Sequence, residues 1–173
     1  MALTTRTLTR SFTVGSALLT LSALGATSLR AQHVHGQASL IVGMEGTGGT
    51  AEFRGAGDDL YGFERAPRTA AERAKQEAAL QRLRTQGAQL LRFDATLGCT
   101  VAPQEVRVVE ERSGHGEVRA QYRIACKKPV AGKPIRFGFS AAFPGIDRVA
   151  IQLVSDTAQV GATISRDRGQ VIP

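Results

Sequence analysis

Three histidines occur in the 173 residues, and two of them stand together as His33-Val34-His35. On an extended strand, side chains two positions apart project to the same side, so two imidazoles at this spacing can share one metal ion. Neutral imidazole suits Zn(II) and Cu(II). Two ligands do not make a site, and the same pair also fits a solvated terminus whose histidines simply face water. A third and fourth donor must come from elsewhere in the chain. The candidates are His115, Glu64, Asp58 and Asp59.

Other chemistry finds no support. The chain has no Gly-x-Ser-x-Gly elbow, no phosphate-binding glycine loop and no His-Glu-x-x-His pair. Asp58-Asp59 is a contiguous pair in a Gly-, Asp- and Pro-containing stretch and reads as a pair of turn residues. His115, flanked by Gly114 and Gly116, reads as an exposed turn residue. The expectation is a protein that is not an enzyme.

The elements that must position these residues read mainly as strands. Val34, Ala38, Leu40, Val42 and Met44 share one parity while His33, His35, Gln37 and Ser39 share the other, the period of a half-buried strand. A short strand around Ala51–Arg54 follows the turn at 46–49 and should pair with it. Residues 55–68 predict an ordered loop with Leu60, Tyr61 and Phe63 tucked beneath it. Thr69-Ala70-Ala71-Glu72 has the form of a capping box, starting a helix from Ala70 to about Gln86. Ala74, Ala78, Ala79, Leu80 and Leu83 would supply its inner face, with Gly87 as C-cap. Further strands are expected at 90–93, 101–111, 117–126, 135–143, 149–154 and 160–164. Ser113-Gly114-His115-Gly116 makes a hairpin turn and Phe143-Pro144-Gly145 another. The fold class is therefore α+β: a mainly antiparallel β-sheet with one long α-helix packed on it.

Charge is read after the N-terminal segment is set aside. Arg6 and Arg10 precede an uncharged stretch, 11–29, whose apolar core is Ala17–Leu24, and Leu29-Arg30-Ala31 is an acceptable cleavage site, with Ala26-Thr27-Ser28 an alternative. The run is diluted by Ser, Thr and Gly, whereas a span needs about twenty predominantly apolar residues. Residues 1–31 are expected to be a cleaved secretory signal and 32–173 a single domain, with no transmembrane segment after cleavage. The formal charge is +7, from 22 Lys and Arg against 15 Asp and Glu, and the leader's arginines account for part of it. The remaining arginines are dispersed among acids rather than clustered into a stripe, which argues against a nucleic-acid partner. Hydrophobic residues at 42% supply one core. Cys99 and Cys126 are the two cysteines, and in an exported chain such a pair forms one structural disulfide.

Several short motifs, taken in order, resemble the ZrgA-like family of exported bacterial proteins. They are His33-Val34-His35-Gly36, then Leu60-Tyr61-Gly62-Phe63-Glu64 followed by Pro67 and the helix, then Gly98-Cys99, Tyr122–Cys126 and Phe143-Pro144-Gly145. The resemblance implies a periplasmic location, a link to zinc acquisition or buffering, and a zinc-uptake component or other envelope protein as partner. Members of the family usually carry a His after Gly-Phe-Glu; here that position is Arg65, which cannot ligate metal. Carried over residue by residue, the ligand set becomes His33, His35 and His115, with Glu64 keeping its motif position. The reading is a periplasmic zinc-binding accessory protein. Its alternative is a non-metal envelope protein-binding module that has lost the metal site and presents loop 55–68, with Tyr61 and Phe63, to a partner.

Overall fold

A strand with every second residue apolar needs something to cover one face, and the first strand shows what that is. The computed structural model describes residues 35–110 and 114–173. The leader expected over 1–31, His33, and the Ser113 end of the hairpin turn lie outside those residues. Contacts group Gln32–Pro173 into one unit. Strand β1 (Gln37–Glu45) buries Ala38, Leu40, Val42 and Met44 and leaves Gln37, Ile41 and Glu45 exposed. β2 (Gly48–Ala56) returns antiparallel beside it, pairing Leu40 with Phe53 and Val42 with Ala51. The strand expected around Ala51–Arg54 is thus longer than its apolar residues alone suggest.

Between β2 and the long helix, the stretch expected as loop contains a helical turn, α1 (Gly57–Tyr61), which buries Asp59, Leu60 and Tyr61. α2 (Ala70–Thr85) begins on the capping box: Thr69 accepts from the Glu72 N–H at 3.1 Å, and the Glu72 carboxylate reaches back to the Thr69 and Arg68 N–H groups. Its buried residues are Ala79, Leu80 and Leu83. Ala74 and Ala78, expected on the inner face, are exposed. A methyl gains too little from burial to decide a helix's rotation, so the two leucines and the charged residues decide it. Gly87 does not cap α2; it opens a further helical turn, α3 (Gly87–Leu90), which runs into the two-residue strand β3 (Leu91–Arg92).

β4 (Thr100–Glu110) and β5 (Gly116–Ala125) form the expected hairpin. The Cys99–Cys126 disulfide closes its open end, one residue outside the paired Thr100 and Ala125. The apolar run from Ile135 splits into β6 (Ile135–Phe137) and a helical turn, α4 (Phe139–Ala142). Ile135, Phe137, Phe139 and Phe143 of this run are all buried, and periodicity cannot separate a buried strand from a buried helical turn. β7 (Arg148–Val154), β8 (Gln159–Ser165) and β9 (Gln170–Val171) complete the chain.

The strands make a six-stranded sheet in the order β4-β5-β2-β1-β7-β8 and a three-stranded sheet β3-β6-β9. All ladders are antiparallel except β1 with β7, where Leu40 pairs with Ile151. The inner face of the large sheet carries Phe53, Ala120, Tyr122, Ile124, Ile151 and Leu153, all buried. Phe53 stacks on Phe139 of α4, ring centroids 4.7 Å apart and nearly parallel. Tyr122 donates its hydroxyl to the Leu83 carbonyl of α2 at 3.0 Å, and its burial pushes the phenol well above its ordinary pKa. The fold is a mixed, mainly antiparallel β-sheet structure with few helices and one disulfide.

The α2 N-terminus has a measurable acid signature. Arg65, then the Arg68 N–H, hold the Glu72 carboxyl down at about 2 against an ordinary 4.5. A lowered folded value means that its contribution is present above the ordinary value and fades as pH falls through the folded one. Stability should therefore decline between about 4.5 and 2 more steeply in the native chain than in Glu72→Gln. Thr69→Ala should cost about 1 kcal/mol in urea unfolding at neutral pH.

Candidate functional site

The turn that starts β1 and the helical turn that ends β2 meet at the end of the large sheet, and their polar groups converge there. His35 is not on the strand: it stands in the turn before Gln37, and Gly36 follows it with φ of 74°. A side chain is strained at that φ, and a Cβ there would also press on the Asp147 carboxylate at 3.3 Å. The Gly36 N–H donates to Asp59 Oδ1 at 2.9 Å, while its carbonyl accepts from the Asp147 and Arg148 N–H groups. Gly36 thus ties the start of β1 both to α1 and to the start of β7.

Asp58 and Asp59 occupy the first turn of α1 and point to different surroundings. Asp58 is exposed and its Oδ2 lies 3.5 Å from His35 Nδ1. Asp59 is 8% exposed, and its second oxygen, Oδ2, is buried with no hydrogen-bond partner. It is packed from behind by the Phe143–Gly145 turn so closely that a Cβ on Gly145 would fall 2.4 Å from the Asp59 carbonyl oxygen. One donor atom from each of His35, Asp58 and Asp59 lies within 4.8 Å of the others. An imidazole nitrogen and two carboxylate oxygens are a donor set that zinc accepts, with a position left open.

Burial is the main cause that raises the Asp59 carboxyl above its ordinary value; the Gly36 N–H and His35 oppose it, and Asp58 and Glu64 reinforce it. An orphaned buried carboxylate oxygen beside a second carboxylate is costly for the folded chain. A bound cation would supply the missing partner. The ligand atoms of a tetrahedral zinc with bonds of ~2.1 Å are roughly 3.4 Å apart. The cluster therefore has to contract, and His35 and Asp58, both exposed, are free to rotate onto the fixed Asp59.

The other residues expected in the site gather a short way along the chain. His115 Nδ1 contacts Glu64 Oε2, and the Gly116 N–H donates to the Glu64 carbonyl at 2.5 Å. Glu64 does not pair with Arg65, whose guanidinium lies over the Phe63 ring and holds the Glu72 carboxylate at 2.6 and 2.9 Å. Tyr61 is buried, and Phe63, partly buried, packs against it with ring centroids 4.7 Å apart. Asp58 and Asp59 had been candidates by residue type alone; nothing in their spacing told them apart from turn residues.

The Asp59 arrangement has a testable cost. A carboxyl with a raised folded pKa binds its proton more readily folded than unfolded, so the metal-free chain gains stability as pH falls through that raised value toward the ordinary 3.8. Asp59→Asn keeps an acceptor for the Gly36 N–H and removes the buried charge. In chelator-treated buffer at neutral pH the variant should unfold at an equal or higher urea concentration than the native chain. That advantage should vanish below the ordinary carboxylate range.

The motifs around this cluster are those of a known family. A family model described as ZrgA family zinc uptake protein matches residues 32–172. No curated protein matches the chain at a significant level. The match covers Gly36, the α1 segment, both cysteines and the Phe143–Gly145 turn that build and support the cluster. The chain belongs to the ZrgA family of zinc uptake proteins.

Proposed function

We propose that this chain is an exported zinc-binding accessory protein which carries or buffers zinc as its cargo and is not an enzyme. The observation that carries the reading is the Asp59 carboxylate: its Oδ2 is buried without a partner, and one donor atom of the residue lies within 4.8 Å of donor atoms of Asp58 and His35. His35, Asp58 and Asp59 are the proposed protein ligands, and His33, two residues before His35, is the proposed fourth. Two exposed donors, His35 and Asp58, beside one buried carboxylate suit a site that must also release its ion, unlike a closed structural site built from four thiolates. Membership of a zinc uptake family supports zinc over other divalent ions.

Export to the periplasm is supported by the disulfide, since such bonds persist in oxidising compartments. Among the described residues, no helix is long and apolar enough to cross a membrane. The proposed partner is an envelope component of zinc uptake that accepts the ion from the exposed His35 and Asp58 side.

The test is zinc titration of the metal-free protein beside three variants. The native chain should bind one equivalent tightly, and His35→Ala and Asp59→Asn should each weaken binding by about tenfold or more. Binding should also weaken on acidification, because protons compete with zinc for the Asp59 carboxyl, whose burial raises its affinity for a proton. His115→Ala should bind as the native chain does. Loss of binding in His115→Ala with none in Asp59→Asn would move the site to the His115–Glu64 pair.

A further inference from the structure

The two edges of the large sheet are built differently. At one edge, β4 carries Pro103, a register shift between Pro103 and Glu105, and an exposed Glu105–Arg107 ion pair at 3.0 Å. Proline, a bulge and alternating charge are the devices by which proteins keep an open strand from pairing with another chain. At the other edge, β8 reads Gln159-Val160-Gly161-Ala162-Thr163-Ile164-Ser165, with no charge, proline or bulge over its full pairing with β7. Among the described residues, no named strand lies on its outer side, and its one further pairing is the isolated bridge of its last residue, Ser165, with Arg168.

The solvent face follows the same division. Arg54, Arg119 and Arg107 stand in register across β2, β5 and β4, beside Glu52 and Glu105. Toward β8 the same face is largely uncharged, and Ile41 of β1 and Val154 of β7 are about half exposed. One half of the sheet is thus made to stay in water, while the other lacks what would keep a second strand away.

We propose that β8 pairs with β8 of a second copy of this chain, antiparallel about a two-fold axis, joining two six-stranded sheets into one. The ends of the strand select this occupant. Asp156 precedes β8 and Arg166 and Arg168 follow it, all exposed; within the chain Asp156 accepts from the Gly46 N–H at 2.7 Å and Arg166 pairs with Asp147 at 2.6 Å. In a two-fold antiparallel pair the acidic end of one copy lies against the basic end of the other, an isologous match that a parallel pairing lacks. Gly161 stands near the axis, where a missing side chain lets two backbones come together. Val160 and Ala162, half-buried on the inner face, gain cover from their own equivalents. One strand edge is a small interface, so the dimer is reversible and depends on concentration. This inference is independent of zinc.

Sedimentation equilibrium of the exported, metal-free protein tests it. The weight-average mass of the native chain should climb from one copy toward two with concentration. A Cβ on Gly161 would meet nothing within 4 Å, and its backbone is not left-handed, so Gly161→Lys should fold as the native chain does. It should weaken association by about tenfold or more. Ala102→Lys, which adds the same charge on exposed β4, should associate as the native chain does. Should Gly161→Lys fail to fold, Thr163→Lys on the same edge, exposed to solvent, serves in its place. A mass that stays at one copy at every soluble concentration would overturn the proposal, as would native-like association of the folded edge variant. An added foreign peptide or protein binding β8 of a monomeric chain would also overturn it.

Discussion

The hydrogen bond from the Gly36 N–H to Asp59 Oδ1 locks the start of β1 to the helical turn that its pairing with β2 brings alongside. It joins the turn before β1 to the first turn of α1 and leaves the other carboxylate oxygen buried without a partner. Gly145 packs directly against the Asp59 backbone behind it. The hydrogen bond is only a partial compensation for burial, which is why the carboxyl is still shifted upward. A charge held in this way is poorly solvated and ready for a cation. The rest of the site can stay exposed and movable because this one donor is fixed.

Much of the sheet was legible because period two is a strong signal where one face is wet. Ala38, Leu40, Val42 and Met44 in β1, and Val118, Ala120, Tyr122 and Ile124 in β5, are buried in the alternation their spacing implies. The capping box at Thr69 was equally plain, since both of its hydrogen bonds are local. Less legible were the segments where burial is nearly continuous, such as Phe137–Phe143, in which strand gives way to helical turn. The parallel pairing of β1 with β7, and the small β3-β6-β9 sheet, are long-range choices that no local pattern encodes.

The site was half legible for a related reason. His35 and the two aspartates were on the list of donors, but their meeting depends on Gly36 being tied to Asp59 and to the strand that starts at Arg148. His35 itself stands in the turn before β1, with the left-handed Gly36 between it and the strand, and His33 lies outside the described residues. Glu64 and His115, the other expected donors, contact one another. A histidine between two glycines has few local constraints; here its place is set by the Glu64 backbone that receives the Gly116 N–H.

The parallel ladder between β1 and β7 also sets an order of events during folding. β1 can pair with β2 as soon as both are made, but its other edge waits for residues near the far end of the chain. Such distant pairings form late, because the intervening loop must close before the contact stabilises anything. Gly36 takes hydrogen bonds from Asp147 and Arg148 at the start of that same late ladder, and Gly145 packs behind Asp59 just before it. The cluster of His35, Asp58 and Asp59 therefore cannot be assembled by an N-terminal fragment, however well its first hairpin forms. A chain emerging N-terminus first therefore completes the arrangement of these three residues only when the later strands arrive.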